Sequence, residues 1–312
     1  MSNPEITLDV PTTRLATFDG SLATDPPAHD GHATPIASKA SKSVQWVGNA
    51  TCILELNRVC IMADPNFLHQ GDHVRLGPGV IATRLHAPAF ALEDCPPVDF
   101  ILLSHLHEDH FDAAVAQKLR RSIPIVSNQF ATERLAKQGY THLITLGTWD
   151  STMVKQSGTK KLKITSMPGK HTIGAFTEKD VVMNSIPPTM GSLIELLREE
   201  GEVEYTIYIS GDTLYYEEFK GNYDIHTKYP HIDLCLLYIG GTTLPVLIIM
   251  VTMDGEQGIK LLHVVNPDKT IPIHFDDYDA FLSPLSDFQK IVEAEGWTDR
   301  VVYLDRGESY RF

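Results

Sequence analysis

The sequence predicts an α/β protein in which two β-sheets pack face to face with helices on their outer sides. Three observations carry that expectation. Short β-rich runs recur in both halves of the chain, and helical segments fall between them. Several runs, Val98–Leu103 above all, are apolar almost without interruption, the pattern of strands buried on both faces. A chain of 312 residues has ample length for a buried core, and its 43% hydrophobic and 21% charged content is that of a globular protein.

Residues 1–42 read as an N-terminal tail, flexible or partly docked. Pro4, Pro11, Pro26, Pro27 and Pro35 interrupt a run of small and polar residues with no sustained periodicity, although part of Ile6–Phe18 can still dock. Such a composition buries little apolar surface, so the domain, residues 43–312, is expected to stay folded without it. From Ser43 the texture changes. Val44–Val47, Cys52–Leu56 and Val59–Ala63 read as strands, the last two joined by Asn57-Arg58. In that hairpin register Cys60 faces Glu55 and not Cys52, which argues against a disulfide. Four cysteines and the absence of an apolar run in the first residues make a reducing, cytoplasmic setting the default expectation.

Residues 66–97 form a long irregular stretch containing His69, His73, Arg75, Arg84 and His86, read either as a substrate loop or as surface packing. After the strand Val98–Leu103 come the helices Phe111–Arg121 and Gln129–Gln138, with the strand Ile123–Val126 between them. Strands follow near Leu143–Thr145, Lys161–Ser166, Ser192–Leu197, Tyr205–Ser210 and Asp233–Tyr238. A capping box at Asp254-Gly-Glu-Gln257 opens a helix to about Val265. Ile271–Ile273 is a short strand, Ser283 with Pro284 opens the last helix, Gly296 closes it, and Val301–Leu304 ends the fold.

The formal charge of −14 disfavours a dedicated binder of nucleic acid or of anionic membranes, since neither phosphate backbone nor lipid headgroup attracts such a chain. The longest apolar run, Leu244–Val251, contains Pro245 and is far too short to span a bilayer. The expected partner is a small-molecule substrate.

The most informative segment is Ser104-His105-Leu106-His107-Glu108-Asp109-His110-Phe111-Asp112, at a strand-to-helix junction. His105 and His107 are two apart, so in extended backbone they point to one side and can reach one metal ion. Asp109 and His110 lie where the chain turns and can face a second. Imidazole and carboxylate suit zinc, iron or manganese. Three later residues also follow a strand: His171, Asp212 and His274. Strand ends on one rim of a sheet are where such sites are assembled. Each is weak alone; together they make seven ligands.

His105-x-His107-x-Asp109-His110, then His171, Asp212 in Ser-Gly-Asp-Thr and His274 in Ile-Pro-Ile-His resemble the metallo-β-lactamase fold superfamily. The texture is similar to the branch of ascorbate-phosphate lactonases and N-acyl-phosphatidylethanolamine phospholipase D, which shares Trp46-Val-Gly-Asn-Ala-Thr51 and Asp64-Pro65. Asn49 departs from the histidine frequent there, and residues 242–253 align with nothing in the pattern. The resemblance implies an αββα four-layer sandwich. It implies two divalent metal ions, zinc first and manganese or iron next: one held by His105, His107 and His171, the other by Asp109, His110 and His274, with Asp212 bridging. It also leaves Asp64 two roles, orienting a ligand imidazole or capping the turn before Pro65.

Two cations about 3.5–4 Å apart would supply hydroxide near neutral pH and polarise a carbonyl or phosphoryl oxygen. Asp109 and Asp212 are the candidate catalytic carboxylates, and Asp212 could accept a proton as the intermediate collapses. Tyr215, beside Asp212, is read as packing or as a substrate contact, and residues 184–190 as a further substrate segment. The expected activity is hydrolysis of a small ester, lactone or related carbonyl compound. Phosphodiester hydrolysis and β-lactamase-type amide hydrolysis are the alternatives within the hydrolases. Outside them stand an iron redox protein and a non-catalytic binding module, the latter disfavoured by the complete ligand set.

Overall fold

The structure is a computed structural model, and it describes residues 6–11, 14, 17–18, 42–77, 80–172, 186–216, 225–244 and 249–312. Its strands in chain order begin with β1 (Ile6–Val10), β2 (Ser43–Gly48), β3 (Thr51–Leu56), β4 (Val59–Ala63), β5 (His73–Gly77), β6 (Val80–Thr83), β7 (Phe100–Leu102), β8 (Ile125–Ser127) and β9 (Leu143–Thr145). They continue with β10 (Ser151–Gln156), β11 (Thr159–Met167), β12 (Gly191–Leu197), β13 (Val203–Ile209), β14 (Leu234–Tyr238), β15 (Thr243–Leu244), β16 (Ile249–Met250), β17 (Lys269–Ile273) and β18 (Ser309–Arg311). The α-helices are α1 (Ala113–Lys118), α2 (Gln129–Lys137), α3 (Ile225–Lys228), α4 (Gly255–Val265) and α5 (Leu285–Ala294).

Two seven-stranded mixed sheets result, in the orders β18-β2-β3-β4-β7-β8-β9 and β1-β10-β11-β12-β13-β14-β17. Alternation along the first sheet explains its near-continuous apolar strands. Val44, Trp46, Cys52, Leu54, Ile61, Phe100 and Leu102 point inward and share one core with Val154, Leu162, Ile164 and Leu193 of the second sheet. Val47, Ile53, Met62, Ile101 and Leu103 point outward and pack with Val115 and Leu119 at α1 and with Ala131 and Leu135 of α2. The second sheet is covered by Ile259, Leu262 and Val265 of α4 and by Phe288 and Val292 of α5. The layers are therefore helix, sheet, sheet, helix, as expected, because each sheet has two apolar faces to bury.

Local signals fix the helix ends. The Asp254 side chain accepts from Gln257 N, and Asp112 accepts from Val115 N, as N-caps do. At α5 the cap falls one residue later than the sequence suggests. Pro284 is the N-cap, and Ser283 Oγ instead accepts from Gly255 N at 3.1 Å, tying the start of α4 to that of α5. The hairpin register holds: Glu55 pairs with Cys60, and all four cysteines are free.

Three further features concern the sheets. β1 pairs in parallel with β10 and buries Leu8 and Val10, so the N-terminal segment contributes a strand to the second sheet. Arg14 forms ion pairs with Asp99 and Glu55. Part of Ile6–Phe18 is therefore docked on the domain, one of the two states expected of the N-terminal segment. The stretch 66–97 is not wholly irregular, since β5 and β6 form a hairpin within it. Finally, β18 closes the first sheet beside β2. Among the described residues no helix is long and apolar enough to cross a membrane.

Candidate metal centre

The site is built at the ends of β4, β7, β13 and β17 and on the loop before β12. Leaving β7, the chain passes through His105 and His107 and turns sharply: His110 N and Phe111 N both donate to His107 O, at 3.0 and 2.8 Å. This turn brings Asp109 and His110 back under the sheet. Asp112 ends it, its carboxylate accepting from the backbone of Phe67 and Leu68 as well as capping α1. After β13, Gly211 adopts φ +61°, and a Cβ there would lie 2.8 Å from Met190 O. The residue that delivers Asp212 therefore has to be glycine. Asn49, Asp64 and His274 also have positive φ, at 48°, 41° and 62°. Three non-glycine residues in that region within one site are strain held by the surrounding contacts.

The seven candidate ligands come together as two buried groups. His105, His107 and His171 form one; Asp109, His110, Asp212 and His274 form the other, with candidate donor atoms within 4.8 Å of one another in each. His105 Nε2 faces His107 Nδ1 at 3.2 Å, while His105 Nδ1 is held by Ser104 Oγ at 3.0 Å. His171 Nδ1 lies 2.9 Å from Pro187 O, which directs Nε2 inward. His274 Nε2 approaches Asp109 Oδ2 at 3.3 Å and Asp212 Oδ1 at 3.7 Å. His110 Nε2 lies 3.3 Å from Asp212 Oδ2, and His171 Nε2 approaches the same oxygen at 3.9 Å. Asp212 thus touches both groups.

Whether a metal fits can be asked of the donor atoms themselves. His171 Nε2, Asp109 Oδ1 and Asp212 Oδ1 are buried and have no hydrogen-bond partner among the described residues. Orphaned buried acceptors cost on the order of 1–3 kcal/mol each, so several converging on one spot call for a cation. Burial, helped by His110 and His171, holds the His105 imidazole well below its ordinary pKa. Burial and the neighbouring His107 bring His171 down to about 3. Both are therefore neutral, the form that ligates metal. Burial opposes the charge of Asp109 and Asp212, but the histidines outweigh it and keep both carboxyls below the usual range. Burial would likewise lower His110, yet Asp212, Asp109 and Asp64 hold it well above 6.5. Without a cation, His110 carries the positive charge these carboxylates demand. A divalent ion meets the same demand, and the residues present fit it.

Asp64 makes the contacts that an orienting carboxylate would make. Its Oδ1 accepts from Ser104 N at 2.7 Å; its Oδ2 accepts from Ser104 Oγ at 2.8 Å and Tyr238 OH at 3.0 Å and lies 3.1 Å from His110 Nδ1. Asn49, whose consequence the sequence left open, donates from Nδ2 to Asp109 O at 2.6 Å and from its backbone N to Asp277 Oδ2 at 2.6 Å. Thr252, from the segment that aligned with nothing, donates to Asp212 Oδ2 at 2.7 Å. Asn49, Thr252 and Tyr238 were not singled out as site residues, because nothing in their local sequence marks contacts made across the fold.

The substrate-loop candidates separate. His69, His73 and Arg75 are exposed on or beside the β5–β6 hairpin, and Arg75 N donates to Glu108 Oε2 at 2.7 Å, seating the hairpin against the ligand turn. His86 is half exposed, 3.9 Å from Asp276. Arg84 is a correction: it is buried, its guanidinium bonded to Asn66 Oδ1 at 2.6 Å and His86 O at 2.8 Å and paired with Asp277 at 3.4 Å, so it holds the loop and does not face a substrate. Tyr215, read as packing or as a substrate contact, is buried in the main core. Of the candidate segment 184–190, residues 184 and 185 lie outside the described residues; Pro187 and Pro188 serve as carbonyl acceptors for His171 and Asn128.

Residues 65–275 match the family described as Beta-lactamase superfamily domain. A UPF0173 metal-dependent hydrolase of Archaeoglobus fulgidus is 24% identical over 269 residues, covering 86% of this chain and 98% of its own length. UPF0173 protein YddR of Bacillus subtilis is 21% identical over 277 residues, with 86% and 100% covered. Among solved structures, a possible metal-dependent hydrolase from Veillonella parvula superposes with a TM-score of 0.73 at 17% identity, covering 88% of this chain and all of that one. Isothiocyanate hydrolase from Delia radicum gut bacteria gives 0.72 at 18% identity, with 86% and 99% covered. At these identities the structures speak for the fold.

Proposed function

The chain belongs to the beta-lactamase superfamily and is a metal-dependent hydrolase of the metallo-β-lactamase fold, and we propose that it holds two divalent metal ions, zinc first, to hydrolyse a small ester, lactone or related carbonyl compound. The observation that carries the two-metal reading is the pair of buried donor groups joined at Asp212. His105, His107 and His171 would hold one ion and Asp109, His110 and His274 the other. When bound, such a pair supplies a water ionised near neutral pH and Lewis acidity toward the oxygen of the scissile group.

The protein's own residues do the rest. Ser104, Pro187 and Asp64 each engage the ring nitrogen that a ligand histidine turns away from the cluster, which fixes the orientation of His105, His171 and His110. Asp212 is the carboxylate placed to receive a proton during collapse, with Thr252 holding one of its oxygens. A carbon electrophile is favoured over a phosphodiester by the position of Arg84. This cation of the loop region is bonded to Asn66 and Asp277 and cannot clamp a phosphate. The charge of −14 adds repulsion toward long polyanions. The four free cysteines suit a reducing, cytoplasmic setting.

The test is a side-by-side measurement of kcat/KM for aryl esters, γ- and δ-lactones, bis-aryl phosphodiesters and single-stranded RNA, with His107→Ala as the blank. Esters or lactones should lead, and the variant should lose the activity. Phosphodiesters or RNA turned over at least as well as every ester and lactone would replace this reading with a phosphodiesterase.

A further inference from the structure

Thr252 lies in the segment of the chain that resembles nothing in the sequence pattern of the superfamily, yet it reaches the centre of the site. It is 1% exposed, and its Oγ1 donates to Asp212 Oδ2 at 2.7 Å. That is the length of a charge-assisted bond from a hydroxyl to an ionised carboxylate. The backbone around it is fixed from both sides. Val251 N donates to Thr242 O at 2.8 Å, and Gly240 N and Gly241 N both donate to Met253 O at 2.9 Å. The Val251 side chain is buried with Val74 and Leu76 of β5, Val80 and Ala82 of β6, and Ile186. β-Branching restricts χ1, and burial on so constrained a backbone with the bond to Asp212 holds the hydroxyl in place.

What that fixed point controls is the rotation of the Asp212 carboxylate. Oδ2 lies 3.3 Å from His110 Nε2 and 3.9 Å from His171 Nε2, and Oδ1 lies 3.7 Å from His274 Nε2. One oxygen is shared between the two ligand groups, and the other belongs to the second. A carboxylate free to turn about its terminal bond would swing away from the first group, because a broad two-fold torsion offers little resistance of its own.

We propose that Thr252 is a positioning residue, its hydroxyl locking Asp212 in the orientation that lets a single carboxylate serve both metal ions. The proposal rests on the two-metal reading above. The segment carrying Thr252 also carries Val251 into the apolar cluster with β5 and β6, while its backbone is bonded to the residues that follow β14, so Thr252 is held from two sides.

The experiment titrates Zn²⁺ into metal-free wild type, Thr252→Val and Thr252→Ser against a competing chromophoric chelator, with melting temperatures of the metal-free proteins measured alongside. Wild type should take up two ions. Thr252→Val, nearly the same shape without the hydroxyl, should bind one of the two ions roughly 10- to 100-fold more weakly, the usual cost of losing a partner of a metal ligand, with the other ion little changed. Thr252→Ser restores the hydroxyl and should recover most of the affinity. If wild type binds two ions and Thr252→Val binds both as tightly, the positioning role is overturned while the two-metal reading stands. If wild type binds only one, the two-metal reading fails and this inference with it. If valine and serine variants lose affinity equally and their metal-free forms melt equally early, Thr252 is a packing residue, and the proposal is wrong.

Discussion

Replacing Asp64 by asparagine keeps the shape and removes the charge, and the structure says what that must cost. Both oxygens of Asp64 are committed. Oδ1 accepts from Ser104 N at 2.7 Å; Oδ2 accepts from Ser104 Oγ and Tyr238 OH and faces His110 Nδ1 at 3.1 Å. Burial and the Asp64 charge push the Tyr238 phenol well above its ordinary pKa, so it remains a donor. An asparagine has one acceptor oxygen and one donor nitrogen. Turned one way, its NH₂ meets the Ser104 backbone N–H. Turned the other, it meets the Nδ1–H of His110, and relief by tautomer exchange puts the proton on Nε2, the nitrogen that faces the other ligands. Either choice leaves a buried donor unpaired, at roughly 1–3 kcal/mol, and a ligand histidine without its orienting carboxylate loses about 10- to 100-fold in metal affinity. The assay is chelator competition for Zn²⁺ on the Asp64→Asn protein, with circular dichroism to show the sheets intact. Wild-type affinity in a folded Asp64→Asn protein would refute the reasoning.

Two further outcomes follow from the structure. Deleting residues 1–11 strips β1 from β10 and removes the buried Leu8 and Val10, worth about 3–6 kcal/mol together at the usual values for burying such side chains; a thermal melt should drop on the order of 10 °C for a chain this size, and an unchanged melt would contradict the docked strand. In metal-free protein the His171 pKa is lowered to about 3 by burial and His107, against about 6.5 unfolded. The unfolded chain therefore binds the extra proton first, and stability carried by neutral His171 is present above about 6.5 and lost as pH falls toward 3. Measured against His171→Gln, wild type should lose ground over that window, and a constant difference would show His171 to be exposed or differently placed.

The candidate ligand set was legible because chemistry constrains it locally. His105, His107, Asp109 and His110 sit at a spacing that a strand and one turn convert into convergence, and His171, Asp212 and His274 each follow a run read as a strand, weak singly and informative together. The near-continuous apolar strands likewise announced a sheet buried on both sides. The edges were less legible. β1, β10 and β18 are short, carry polar residues, and owe their pairing to partners far along the chain, such as Ile6 with Thr152 and Tyr310 with Val44. Arg84 was misread as a substrate contact because a lone arginine in a loop gives no sign of the Asn66 and Asp277 side chains that bury it. Asn49 and Thr252 are ordinary polar residues in sequence, and their meaning arises when the fold sets them against Asp109 and Asp212.

The account stands on two metal ions sharing Asp212, and anomalous diffraction at the zinc edge from crystals of zinc-loaded protein tests it most directly. Two peaks per chain are expected, one among His105, His107 and His171 and one among Asp109, His110 and His274, with density from Asp212 reaching both. A single peak, or two peaks of which either lies away from these side chains, would contradict it.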